Sequence, residues 1–63
     1  MWAIRAKKGT NKGLYLALPE FGFAYTRVLR CMQVFCSLAV AEGACHFGNE
    51  EAVNIDNDLS IVR

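Results

Sequence analysis

The chain has 63 residues, a formal net charge of +1 and 54% hydrophobic side chains. That length allows one domain, residues 1–63, with a thin core that hides roughly 60% of the surface exposed by the unfolded chain. The apolar content excludes disorder, and the near-neutral balance argues against nucleic acid or an anionic membrane surface as the main partner.

Trp2-Ala3-Ile4-Arg5-Ala6-Lys7 alternates large apolar with smaller or charged residues, the period-2 mark of a half-buried strand. Lys8 to Gly13 is polar and carries two glycines, so it reads as a turn. Leu14 to Leu18 alternates again until Pro19, which cannot donate to a ladder, stops it. The two runs predict a hairpin.

Phe21-Gly22-Phe23-Ala24-Tyr25 follows as an aromatic loop or a short third strand. Thr26 is placed to cap a helix. Leu29, Met32 and Phe35 recur at helical spacing. The spacing predicts a helical turn, a break near Phe35-Cys36 and a helix from Ser37, in preference to one helix over 27–42. Ala52 to Asp56 alternates as a strand, Asn57-Asp58 turns the chain, and 57–63 is either a short strand or a frayed tail. The resulting expectation is an α+β fold of order β-β-α-β, an antiparallel sheet covered on one face by a helix or broken helix.

The segment from Val28 to Ala41 is the most apolar and raises a membrane or export reading. Its 14 residues are interrupted by Arg30, Gln33 and Ser37, whereas a spanning helix needs about 20 apolar residues in a row. Ala39-Val40-Ala41 has the small-x-small form of a cleavage site, yet the region before it is full of strand pattern, unlike a signal peptide. No metal, cofactor or catalytic group is expected. Cys31, Cys36, Cys45 and His46 are four zinc-ligand types at the wrong spacing for convergent pairs, so reduced core thiols in a cytoplasmic setting are the economical reading. A nucleophilic Cys would need His46 and an orienting carboxylate, and nothing in the spacing selects such a trio. Glu50-Glu51 and Asp56-Asp58 read as a solvated rim. Lys7-Lys8 and Lys12 surround Gly9 and Gly13 but lack the strand–loop–helix context and the G-K-[ST] order of a phosphate-binding loop.

Charge is divided along the chain. Arg5, Lys7, Lys8, Lys12, Arg27 and Arg30 face one acid, Glu20, in residues 1–41, whereas Glu42, Glu50, Glu51, Asp56 and Asp58 outweigh Arg63 in the rest. Internal pairing of the two halves is the expected outcome. The aromatic group Phe21, Phe23 and Tyr25 is either core or, if exposed, the anchor of a partner surface.

Taken together, Trp2-Ala3-Ile4-Arg5, Gly13-Leu14-Tyr15-Leu16, Tyr25-Thr26-Arg27-Val28-Leu29, Val34-Phe35-Cys36-Ser37 and Asn49-Glu50-Glu51-Ala52-Val53 resemble the pattern of very short phage or prophage proteins. The resemblance spans residues 2–56. It implies a small ββαβ domain acting in a bacterial host, and no activity. Such proteins have acidic helices after the Phe-x-Ser element, where this chain has Leu38-Ala39-Val40-Ala41. The expected function is a non-enzymatic module that binds a host protein or a second copy of itself. A membrane-associated or exported precursor centred on 28–41 is the first alternative and a weak nucleic-acid binder the second.

Overall fold

A computed structural model describes residues Met1–Arg63. The alternation of the first run produces strand β1 (Trp2–Ala6), and the returning chain supplies β2 (Tyr15–Leu16). Between them the turn depends on Gly9 and Gly13, whose φ values of 80° and 90° are strained for any side chain. Two hydrogen bonds close its neck: the Gly13 N–H donates to the Ala6 carbonyl at 3.0 Å, and the Ala6 N–H to Leu14 at 2.9 Å. The expected hairpin is present.

A 3-10 turn over Pro19–Phe21, ended by Gly22 at φ 78°, redirects the chain into β3 (Tyr25–Thr26). A second 3-10 turn follows at Leu29–Cys31, then α1 (Leu38–Ala44) and β4 (Glu50–Asn54). The four strands form one antiparallel sheet in the order β3-β2-β1-β4. The element order is therefore β-β-β-α-β, since the aromatic segment contributes a strand that the β-β-α-β expectation left optional.

Three local expectations need correction. Thr26 does not cap a helix: it lies in β3, and its Oγ1 accepts from the Val28 N–H at 3.0 Å. Leu29, Met32 and Phe35 do not share a helix, because backbone pairing overrides their spacing. β1 and β2 register only at Arg5–Tyr15, and beyond that point β2 exchanges partners. The Leu18 N–H donates to Cys31 at 2.8 Å and the Gln33 N–H to Leu16 at 2.9 Å, while Phe35 and Trp2 exchange two bonds of 2.8 and 3.0 Å. Residues 32–35 are thus extended and fill the opening between the diverging strands. Third, the last strand begins at Glu50 rather than at residue 52, and it carries all five pairs of the β1–β4 register, from Ala6–Glu50 to Trp2–Asn54.

The break before Ser37 is where the sequence placed it. Ser37 Oγ accepts from the Val40 N–H at 3.3 Å, satisfying one free donor of the first turn. Gly43 lies inside α1, and the helix ends at Cys45.

Successive residues of a strand face opposite sides, so Ala3 and Arg5 share one face with Tyr15, and Ile4 and Ala6 point to the other. On the first face Ala3, Tyr15, Met32, Ile55 and Ile61 form one buried cluster, with Leu29 and Val53 packed against it. Against β1 and β4 lies α1, whose Ala41 is fully buried along with Ile4. The chain after β4 packs onto the sheet and does not fray. Ile61 is buried, the Val62 N–H donates to Arg27 at 2.7 Å, and the Leu29 N–H donates to Val62 at 2.8 Å. That pairing forms a parallel bridge beside β3.

Candidate functional site

The aromatic segment separates into two roles. Phe21 and Phe23 lie on the surface, 40% and 47% exposed, with ring centroids 6.1 Å apart and planes at 25°. Gly22 between them turns the chain so that the two rings stack on each other and not on the core. The core aromatic is Tyr15, 1% exposed. A stacked pair in this offset range gains about 0.5–1.5 kcal/mol, enough to hold the rings as a unit while leaving their outer faces in water.

Tyr25, the third member of the expected anchor, does not join the stack. It is half-buried in β3, and its hydroxyl donates to Glu50 Oε2 at 2.7 Å. Donation to that carboxylate, then loss of hydration and the carboxylate's charge, raises the Tyr25 pKa above the usual phenolic value. Glu50 is itself 5% exposed, which overturns its reading as part of a solvated rim. Its other oxygen accepts from the His46 N–H at 3.1 Å. One acid therefore closes the turn before β4 and ties it to β3. Composition gives no hint of this arrangement, because Tyr25 reaches Glu50 only through sheet pairing across β2 and β1.

Glu51 keeps to the solvated rim but is paired there. It faces Arg5 across the β1–β4 ladder, with Nε at 3.1 Å and Nη2 at 2.9 Å from its Oε2. Both side chains are more than one-third exposed, so the pair contributes at most about 1 kcal/mol. Apart from the chain's amino group with Asp56, it is the only ion pair. Internal complementarity of the two halves thus amounts to one side-chain pair, and Lys7, Lys8 and Lys12 have no acidic partner. Asp58 accepts from the Tyr15 hydroxyl, from the Ser60 hydroxyl at 2.6 Å and from the Ser60 N–H at 2.9 Å. The Ser60 bonds, aided by the charges of Arg5 and Arg63, hold its pKa below the ordinary carboxylate value despite some desolvation.

The thiols are dispersed: Cys31 is buried, Cys36 exposed and Cys45 half-buried, and none forms a disulfide. No three His, Cys, Asp or Glu side chains converge as a metal site requires. At Cys45, partial burial and then the Glu50 charge push the thiol pKa up, the opposite of what activates a nucleophile. Of the Cys–His–Glu trio, the contact present is between the His46 backbone and Glu50, with no imidazole involved.

Two clefts flank the hairpin turn. One, of about 380 Å³, is lined by Arg5, Ala6, Lys7, Lys12, Gly13 and Glu51; the other, of about 330 Å³, includes Lys8, Thr10, Asn11, Tyr25 and Asn49. No helix is long and apolar enough to cross a membrane, and the 28–41 segment is divided among a 3-10 turn, an extended stretch and the start of α1.

Comparison of the chain with protein-family models, with curated proteins and with solved structures finds no match. The functional reading therefore rests on these surfaces.

Proposed function

We propose that this protein is a non-enzymatic interaction module whose Phe21–Phe23 pair anchors a partner protein, which the phage-type resemblance makes a host protein. One observation carries the reading: two large aromatic rings stack on each other at the surface instead of entering the core. Aromatic anchors dominate interface energies because they bury much area at little cost in side-chain entropy. Edge strand β3 begins two residues after Phe23 and offers backbone groups on which a partner segment can extend the contact.

Phe21→Ala and Phe23→Ala, read by thermal melt, light scattering and affinity capture from host lysate, test it. The expected result is loss of capture or of self-association by roughly 30-fold, equivalent to about 2 kcal/mol, with the melt nearly unchanged. Collapse of the melt in both variants would make the rings part of the core and sink the proposal. So would a wild-type chain that stays monomeric and captures nothing. Light scattering distinguishes a second copy from a different protein.

A further inference from the structure

The cleft beside the hairpin neck is a second, independent feature of the surface. Arg5 near the end of β1 and Lys7 just beyond it line one cleft, and the returning turn brings Lys12 to the same cleft. The backbone beneath them is fixed. The Lys7 N–H donates to Asn49 at 2.7 Å, the Gly13 N–H to Ala6 at 3.0 Å, and the Lys12 N–H to Gly9 at 3.2 Å. Only one acid, Glu51, lines this cleft, and it is engaged with Arg5. Two ammonium groups remain uncompensated, so the cleft carries a formal charge of +2. Arg5 uses Nε and Nη2 on Glu51 and keeps further guanidinium donors free.

We infer that this cleft binds a phosphate-bearing small molecule, with Lys7 and Lys12 on the phosphate oxygens and Arg5 positioned by Glu51 at its edge. A phosphomonoester carries close to two negative charges at pH 7 and three strong acceptor oxygens, matching two lysines and a fork donor better than a monovalent carboxylate does. A volume near 380 Å³ lies at the low end for small-molecule sites. The site does not depend on the Phe21–Phe23 reading, because it shares no residue with it.

The test is a titration of the isotope-labelled protein with inorganic phosphate and, separately, with a nucleoside monophosphate. Sodium chloride at matched ionic strength is the control. Saturable amide shifts confined to residues 5–7, 12–13 and 51 are expected for both phosphates and absent with chloride. Lys7→Gln and Lys12→Gln should each weaken binding about tenfold, the usual scale of one charge-assisted contact. Lys8→Gln, which lines the other cleft, should change it less than twofold. All three lysines are exposed, so the variants should melt with the wild type. Equal affinity for the two ligands identifies the phosphate group alone as what is read, and a tighter nucleotide adds a base contact. Shifts reproduced by chloride, or equal weakening by Lys8→Gln, would overturn the site. An oligonucleotide that binds where neither phosphate ligand does would overturn it as well.

Discussion

Tyr25→Phe probes the buried acid directly. The wild-type hydroxyl donates to Glu50 Oε2 at 2.7 Å, in a place where the carboxylate is 5% exposed and its other oxygen is held by His46. Removing the donor leaves one oxygen of a buried anion without a partner, which costs about 1.5–3 kcal/mol. For a chain of this length each kcal/mol shifts Tm by about 4–8 °C, so a fall of about 8–16 °C is expected for a loss of 2 kcal/mol. Glu50→Gln should cost a similar amount. Its amide offers one acceptor and one donor where the site presents two donors, Tyr25 and the His46 N–H. The double variant should be less unstable than the sum by at least about 1 kcal/mol, because both changes remove the same bond. The pH dependence follows from the same contact. Because the folded Tyr25 pKa lies above its unfolded value near 10, the bond contributes fully below about pH 10 and is lost as pH rises through the folded pKa. Thermal melts of the four proteins between pH 7 and pH 11 measure all of this. Additive single effects, together with a Tyr25→Phe chain that loses stability above pH 10 as steeply as wild type, would refute the assignment.

Gly43→Ala should raise stability by about 0.5–1 kcal/mol, since Gly43 is inside α1, has helical φ and has nothing within 4 Å of where a Cβ would stand; a denaturant midpoint at or below wild type would contradict this. Ser37→Ala should cost about 1 kcal/mol by freeing the Val40 N–H, with Ser37→Asp retaining the cap, both read from chemical denaturation. Asp58 has a folded pKa below its unfolded value near 3.8, so its contribution is present above about pH 4 and lost as pH falls through the folded pKa. Acid titration of an Asp58→Asn variant should show a shallower loss below pH 4 than wild type.

Legibility in the sequence followed the range of the interaction. Features written in adjacent residues were readable: the alternation of Trp2–Ala6, the glycine-bearing turn, and the serine that opens α1. Features set by distant pairing were not. Leu29, Met32 and Phe35 carry a true helical period, yet their segment lies between β1 and β2, where strand edges supply better backbone partners than a short isolated helix. Of the aromatic group, Phe21 and Phe23 are exposed and outside the core, while Tyr25 is held by an acid 25 residues away. Glu50 looked like a rim residue because polarity alone marks the solvent side, and only the folded sheet shows two donors waiting for its carboxylate.

The strand order has a consequence for how the chain is made. β1 leaves the ribosome well before its long partner β4, which lies some 48 positions later in register, and the cluster around Ala3 and Tyr15 needs Ile55 and Ile61 as well. Until residues 50–61 exist, β1 has one flank open and its core cluster lacks Ile55 and Ile61. The hairpin with β2 contributes a single registered pair, too little to stand alone. Closing so distant a contact carries the loop entropy of most of the chain before any burial compensates for it. Folding should therefore be all-or-none and wait until residues 50–61 have been made, leaving the apolar β1 exposed until then. A cut anywhere before Ile55 should leave a fragment that cannot close this core, visible as lost strand signal in circular dichroism.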